Sequence, residues 1–402
     1  MAEKALDGVK VIELCEMVAG PFCTKLLADL GAEVIKIEKP GRGDEARYRG
    51  PFPNDIPHSE CSGLFSYLNT SKLGITLNIE DSRGIGIFNE LIKLPGAILV
   101  VDKSPGKIEQ LGLSYEKLSQ ISPQLILTAV TPFGLTGPYR NFNAYPLNVI
   151  HGGGEGYCLP GGKEHLQKPP LKIGNFVAEY DAGLNASLAT LAALYARNVT
   201  GRGQLVDISK QESVMSLYSM FVPRYINEKL VVSRANQGYP YGGIMECKDG
   251  YIAVVCWFER DWQALMKLIG DPEWAKEDRF SSDASRGRHG EEINALLLEW
   301  TMKHTKDEIY HRGQAVGCPV GKVFTAPDLV NSTHLQARQF FVEIEHPDMG
   351  KVKYPTVPYK FSDTPIALVR APRLGEHNEV VYHGLLGHTK DSLKGLSEAG
   401  II

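Results

Sequence analysis

The chain has 402 residues, 43% of them apolar and 22% charged, with a formal net charge of −4. Such a chain can bury a large core in about two domains. Its small acidic surplus provides no field for nucleic acid, so an anionic ligand must be met by local lysines and arginines. Seven cysteines without a CxxC and eleven histidines without an HExxH argue against both a disulfide scaffold and a bound metal. The first strand is charged and ordered by residue 10, which leaves no room for a signal peptide. No run reaches the ~18 apolar residues of a membrane helix, so a cytoplasmic protein is expected.

VKVIEL at 9–14 reads as a buried strand, 20–31 as a helix closing at Gly31, and EVIKIE at 33–38 as a second strand. Strand, helix and strand in about thirty residues form a βαβ unit, which demands a parallel sheet. The intervening turn, Glu16-Met17-Val18-Ala19-Gly20, has a single glycine; it is not GxGxxG and gives poor support to a nicotinamide site. Alternation continues with ITLNI at 75–79, an amphipathic segment at 82–94, AILVVD at 97–102, a short helix near 114–120 and LILTAV at 125–130. The fold class is therefore α/β and doubly wound. Its ligand belongs at the carboxyl ends of the strands, where the loops 15–19, 39–47, 102–106 and 131–139 converge. Lys39, Arg42, Arg47 and Lys103 in those loops suit a phosphorylated ligand, although surface cations are common in any loop.

Residues 140–173 read as a long loop with glycine clusters at 152–154 and 161–162, a composition that allows a lid to move. At 174–209, Glu179 and Asp181 stand at the start of an Ala/Leu-rich helix that ends in a Gly-punctuated turn and a strand. A carboxylate there lies at the positive end of the helix dipole, which suits either a nucleophile or a plain N-cap. Leu184, Leu188, Leu191 and Tyr195 make one apolar stripe; Ala182, Ala186, Ala189 and Ala193 allow close packing elsewhere. Gly183 costs the helix roughly 1 kcal/mol relative to Ala and needs a reason, of which ligand approach is one. Tyr139, Tyr145, Tyr157, Phe176 and Tyr180 are candidates for an aromatic acyl pocket or for simple packing. The character changes near 225. YGGIMECKDGYIAVVCWF at 241–258 is a hairpin signal, helices follow at 260–269, 290–303 and 306–315, and a helix, an extended Pro-spaced segment and one or two terminal helices complete the chain. The domains expected are a large domain beginning in 1–224, a small α+β domain at 225–325, and a return segment at 326–402.

LDGVKVIELCEMVAGPFCTKLLADLGAEVIKIEKPGRGDEAR, NTSKLGITLNI, PQLILTAVTPFGLTGPY, ALYARNVTGRGQLVDIS and APRLGEH resemble, in that order, class III (CaiB/BaiF) CoA-transferases over nearly the whole chain. The resemblance implies an interlocked-ring dimer of chains with a Rossmann-like large domain completed by both chain ends. It also implies covalent transfer of CoA between carboxylic acids with no permanently bound cofactor, acyl-CoA being a substrate. Its catalytic aspartate falls on Glu179, with Asp181 a nearby substitute. CoA would be held by Glu16, Met17, Val18 and Ala19 with Lys39, Lys72 and Lys103, and by position 110, where Gln110 replaces an arginine of the carnitine-type members. Glycines at 152–154 or 242–243 would supply oxyanion donors. Glu16 and Val18 stand where the formyl-CoA type has His and Gln, which argues against oxalate. Some members are two-subunit enzymes, as in benzylsuccinate CoA-transferase, with one chain lacking the aspartate, so a heteromer with a homologous subunit is the alternative to a homodimer. Racemase or hydrolase chemistry is a third reading; racemisation needs a His/Asp pair, and His151 comes late for it.

Overall fold

The computed structural model describes residues 4–162, 165–217, 221–236 and 239–402. They fall into two compact units, one built from the described residues of 1–159, 170–231 and 340–402, the other from those of 160–169 and 232–339.

In the first unit β1 (Lys10–Leu14), β2 (Glu33–Glu38), β3 (Lys72–Thr76), β4 (Ile98–Val101), β5 (Ile126–Thr131) and β6 (Leu205–Ser209) form one parallel sheet. The strand order is β3-β2-β1-β4-β5-β6. Helices interleave as α1 (Ala19–Asp29), α2 (Gly63–Leu68), α3 (Ser82–Ile92), α4 (Pro105–Gln110), α5 (Tyr115–Ile121), α6 (Pro146–Gly152), α7 (Val177–Thr200) and α8 (Lys210–Leu217). Alternation along the strands divides the core into two layers. Ile12, Ile35, Leu99 and Leu127 point to a layer closed by Phe88 and Leu91 of α3, Leu118 of α5 and Tyr382. Val11, Val34, Ile98 and Ile126 point to the other, closed by Cys23 and Leu27 of α1 and by Ala182, Ala186 and Ala193 of α7. This is the doubly wound arrangement.

The chain end returns along β3. Tyr382 Oη donates to Thr76 O at 2.6 Å, Thr76 N to Asn378 Oδ1 at 2.9 Å, and Asn78 N to Ile401 O at 2.8 Å. The third strand is Lys72–Thr76, three residues before the expected ITLNI, because Val34 to Glu38 of β2 pair with Lys72 to Thr76. Lys72 can occupy a buried strand because Glu13 answers its charge at 2.8 Å. The expected loop 140–173 contains α6 and a 3-10 turn at Glu155–Cys158; Lys163 and Glu164 within it lie outside the described residues. The return segment contains an antiparallel hairpin, Phe341–His346 with Gly350–Pro355, where the sequence suggests only extended chain.

The second unit has a three-stranded antiparallel sheet, β7 (Gly243–Cys247), β8 (Gly250–Val254) and β9 (Val320–Lys322), in that order. Met245, Ile252 and Val254 bury against Trp262 and Leu265 of the helix Glu259–Ile269, Ile293 and Leu297 of Gly290–Thr301, and Ile309 of Lys306–Ala315. No helix among the described residues is long and apolar enough to cross a membrane.

Candidate active site

The strand order reverses at β1, so the loops after β1 and β4 diverge and leave a crevice at their carboxyl ends. The residues immediately beyond these strands are tied together. Glu16 N donates to Asp102 Oδ2 at 2.9 Å, and Lys103 Nζ pairs with Glu16 Oε2 at 2.5 Å. Met17 is held at φ 65°, a left-handed conformation unusual for a side chain with a Cβ. Asp44 stabilises it by accepting Met17 N at 2.9 Å through one oxygen and Lys36 Nζ at 2.7 Å through the other. Helix α1 then starts so close to β1 that a Cβ on Gly20 would lie 2.3 Å from Cys15 Sγ, so only glycine fits there.

A cavity of about 400 Å³ opens on this edge, lined in part by Cys15, Glu16, Lys39, Arg42, Lys103 and Lys107. Four cations, Lys39, Arg42, Lys103 and Lys107, stand against three rim acids, Glu16, Glu45 and Glu80. The other lining acids, Glu38 and Asp44, are already neutralised from below by Arg47 and Lys36. Arg42 pairs with Glu45, and Lys107 with Glu80 at 2.5 Å. Exposed pairs of this kind contribute little, so an entering phosphate exchanges with them at small cost.

The residues expected to hold CoA are divided by the structure. Glu16, Lys39 and Lys103 line the cavity. Met17 packs against Ala46 and Phe65, while Val18 and Ala19 are 1% exposed in the core, so these three bring backbone rather than side chains to the edge. Lys72 lies elsewhere, fully enclosed by Glu13 Oε2 at 2.8 Å, Pro21 O at 2.9 Å and Asn69 Oδ1 at 2.9 Å. Burial pulls its ammonium down to about 8 despite Glu13. Arg47 is also taken, held by Glu38 at 2.7 Å and Glu60 at 2.8 Å with its guanidinium 3.7 Å over the Phe65 ring. Gln110 is exposed at the end of α4, and it is Lys107 and Leu111 beside it that face the cavity.

Glu179 occupies the first turn of α7, two residues inside a helix that begins at Val177. The N-cap position belongs to Phe176, which makes no side-chain cap bond, so Glu179 is not the N-cap that local sequence allows. Its side chain is 8% exposed and Oε2 accepts Lys210 Nζ at 2.5 Å. Among the described residues no hydrogen bond reaches Oε1. Lys210, which sequence reasoning did not single out, opens α8 directly after β6 ends at Ser209. A lone charge at the carboxyl end of a parallel strand was its only signal. Lys210 also acts on Asp102. Burial pushes the Asp102 carboxyl up to about 6, while Lys103, the Glu16 amide and Lys210 draw it back. Two contacts are therefore formed on this edge, Lys103 with Glu16 and Asp102 beside the cavity and Lys210 with Glu179 at the start of α7.

Burial, together with the like charge of Glu155, raises the Asp181 carboxyl. Gly183 serves packing rather than ligand approach, since a Cβ there would lie 2.6 Å from Ala19 O and 3.1 Å from the Phe22 ring. The alanine face of α7 is buried, while Leu184, Leu188 and Tyr195 of the leucine stripe are exposed, Tyr195 by 75%. Of the glycine donors expected, 152–154 packs on α8, with Gly152 O accepting Gln211 Nε2 at 2.8 Å; Gly242 and Gly243 belong to the second unit. The aromatic candidates do not gather: Tyr180 packs edge-on to Phe22 at 4.8 Å, and Tyr139 stacks on Phe142 at 4.9 Å. The His151 ring lies over Gly156. Among the described residues no group of three His, Cys, Asp or Glu is placed to hold a metal.

The fold and site define an α/β protein with a cation-lined cavity at its topological switch point and a buried carboxylate on the same sheet edge. The pattern of CoA-transferase family III matches residues 6–378, and the chain belongs to that family. It is 32% identical to the succinyl-CoA–D-citramalate CoA-transferase of Chloroflexus aurantiacus over 99% of this chain and 98% of that one. It is also 32% identical to a formyl-CoA:oxalate CoA-transferase of Rhodopseudomonas palustris, over 99% of this chain and 97% of that one. A crystal structure of a CaiB/BaiF family protein from Brucella suis is similar at a TM-score of 0.84 and 28% identity, covering 95% of this chain and all of that one.

Proposed function

We propose that this protein transfers CoA from an acyl-CoA to a carboxylic acid through covalent intermediates on Glu179. The observation that carries the reading is Glu179 itself, a buried carboxylate in the first turn of a helix, paired with Lys210, in the same unit as the cavity where Lys39, Arg42, Lys103 and Lys107 suit the phosphates of CoA. Glu179 Oε1 attacks the thioester carbonyl, the C–S bond breaks, and CoA leaves as thiolate, giving a mixed anhydride. The thiolate attacks the Glu179 carbonyl carbon and expels the donor acid, leaving CoA on the enzyme as a thioester. The acceptor carboxylate attacks that thioester and displaces the thiolate, which then attacks the acceptor's acyl carbon and releases Glu179. Activation is conserved at each exchange, so the chemistry requires neither ATP nor metal.

CoA and acyl-CoA are substrates on this reading, with no resident cofactor. The exposed face of α7, with Leu184, Leu188 and Tyr195, offers an apolar surface for the interlocked dimer, and the chain ends would then complete one large domain. Purified protein incubated with succinyl-CoA first, then with formyl-CoA and aromatic and hydroxyacyl-CoA donors, each against its own isotope-labelled acid, tests the reading. Label is expected in the thioester with at least one pair, and its absence with all of them contradicts the proposal. A heteromer remains the second reading, because an acid whose charge is answered by Lys210 also suits a chain whose homologous partner performs the chemistry. In that case activity appears only with the partner and survives Glu179→Gln.

A further inference from the structure

We propose that Lys210 is a catalytic cation of this site, holding the Glu179 carboxylate before attack and accepting the CoA thiolate as its counter-ion after it. The inference rests on the covalent reading above.

Lys210 is set by its backbone. It follows the last residue of β6, Ser209, which is in register with Thr131 of β5, and Ser213 Oγ closes the first turn of α8 onto Ser209 O at 2.9 Å. From that position Nζ reaches Glu179 Oε2 at 2.5 Å with the Lys210 side chain only 16% exposed. The pair engages one carboxylate oxygen and leaves Oε1 without a hydrogen bond among the described residues, so the nucleophile is oriented without being covered. Lys210 also draws the Asp102 carboxyl down against the effect of burial, and Asp102 is itself held by Glu16 N at 2.9 Å.

The charge balance of the reaction gives this placement its use. Before attack the negative charge is on Glu179. When Oε1 bonds to the acyl carbon and the C–S bond breaks, Glu179 becomes a neutral anhydride and the charge appears on sulfur. Lys210 loses its partner in the same step that produces a thiolate in the same site. When the thiolate returns to the Glu179 carbonyl carbon, the charge passes to the departing carboxylate. Every half-step carries one negative charge and no proton moves, so a single fixed cation serves all of them. A preorganised charge aimed at the developing anion, in a site with little water, lowers the barrier more than it stabilises the ground state. A purely structural ion pair would contribute to folding and leave the chemical step alone.

The test measures exchange between the best acyl-CoA of the panel and its own labelled acid, using the intact protein, with kcat, KM and thermal melting recorded together. Lys210→Met, similar in length and uncharged, is expected to lower kcat by about 10² to 10³-fold with KM changed less than about threefold. Lys210→Arg is expected to recover to within about tenfold of wild type, because its charge still reaches Glu179. A kcat for Lys210→Met within about threefold of wild type overturns the proposal, as does a Lys210→Arg as slow as Lys210→Met. If Lys210→Met does not fold, Lys210→Gln, which keeps a donor and removes the charge, is read against the same limits. Failure of the covalent reading looks different: wild type then leaves Glu179 unmodified whether or not label exchanges, and both proposals fall together.

Discussion

Two charge clusters share the carboxyl edge of the sheet, and they differ in how completely their charges are answered. Beneath the edge, Glu13 accepts Lys36 at 2.8 Å and Lys72 at 2.8 Å, Asp44 accepts Lys36 at 2.7 Å, and Glu38 accepts Arg47 at 2.7 Å. All of these side chains are essentially excluded from water, and the two lysines hold the Glu13 carboxyl down at about 2 against the effect of burial. Above it, Lys39, Arg42, Lys103 and Lys107 face a cavity, and Glu179 leaves one oxygen uncommitted. The closed cluster sets backbone, since Asp44 fixes the left-handed Met17 and thereby the loop that carries Glu16. The open one leaves its pairs on a cavity rim, where an entering phosphate can exchange with them. Fully paired buried charge is architecture, and solvent-exposed pairs beside a void make the candidate site.

Substitutions in each cluster test this contrast. The largest effect belongs to the open cluster: Glu179→Gln is expected to lower exchange about 10⁴-fold or more with an unchanged melting temperature. Loss of the fold instead would return Glu179 to a structural role. In the closed cluster Lys36→Met leaves Glu13 and Asp44 buried with one partner fewer, and urea denaturation should show a loss of about 3 to 5 kcal/mol. Gly183→Ala sets a methyl against the Ala19 carbonyl and should cost about 1 to 3 kcal/mol in the same assay, with KM for acyl-CoA unaffected if the glycine serves packing alone. Removing Lys39 and Arg42 together should raise KM for acyl-CoA about tenfold, more at low salt, with little change in kcat.

The smallest effect is on pH dependence. The Asp102 carboxyl is raised from 3.8 to about 6, so the folded state binds the proton more tightly than the unfolded one. That contribution to stability is present below about pH 4 and is lost as pH rises toward 6. The melting temperature of wild type relative to Asp102→Asn should therefore fall between pH 4 and 6 and level off above; a constant difference would place Asp102 in water.

The sheet was legible in the sequence because its strands are continuous apolar runs separated by helix-length segments, and the family motifs extend along nearly the whole chain. What was not legible depends on partners distant in sequence. Lys72 and Arg47 look like ligand-binding cations until Glu13 and Glu38, polar residues inside apolar strands, are seen to claim them. The face that α7 buries follows from the close approach of α1 at Gly183, which favours alanine over leucine. Lys210 lies 31 residues after Glu179, and only the β6 to α8 turn brings them together.

Covalent loading of Glu179 is the step on which the proposed chemistry depends. The most direct measurement is mass spectrometry of the peptide spanning 174–202 after incubation with the exchanging acyl-CoA and quenching with hydroxylamine. A hydroxamate is expected on Glu179, absent without acyl-CoA and absent in Glu179→Gln; exchange of label with this peptide unmodified would rule out covalent loading.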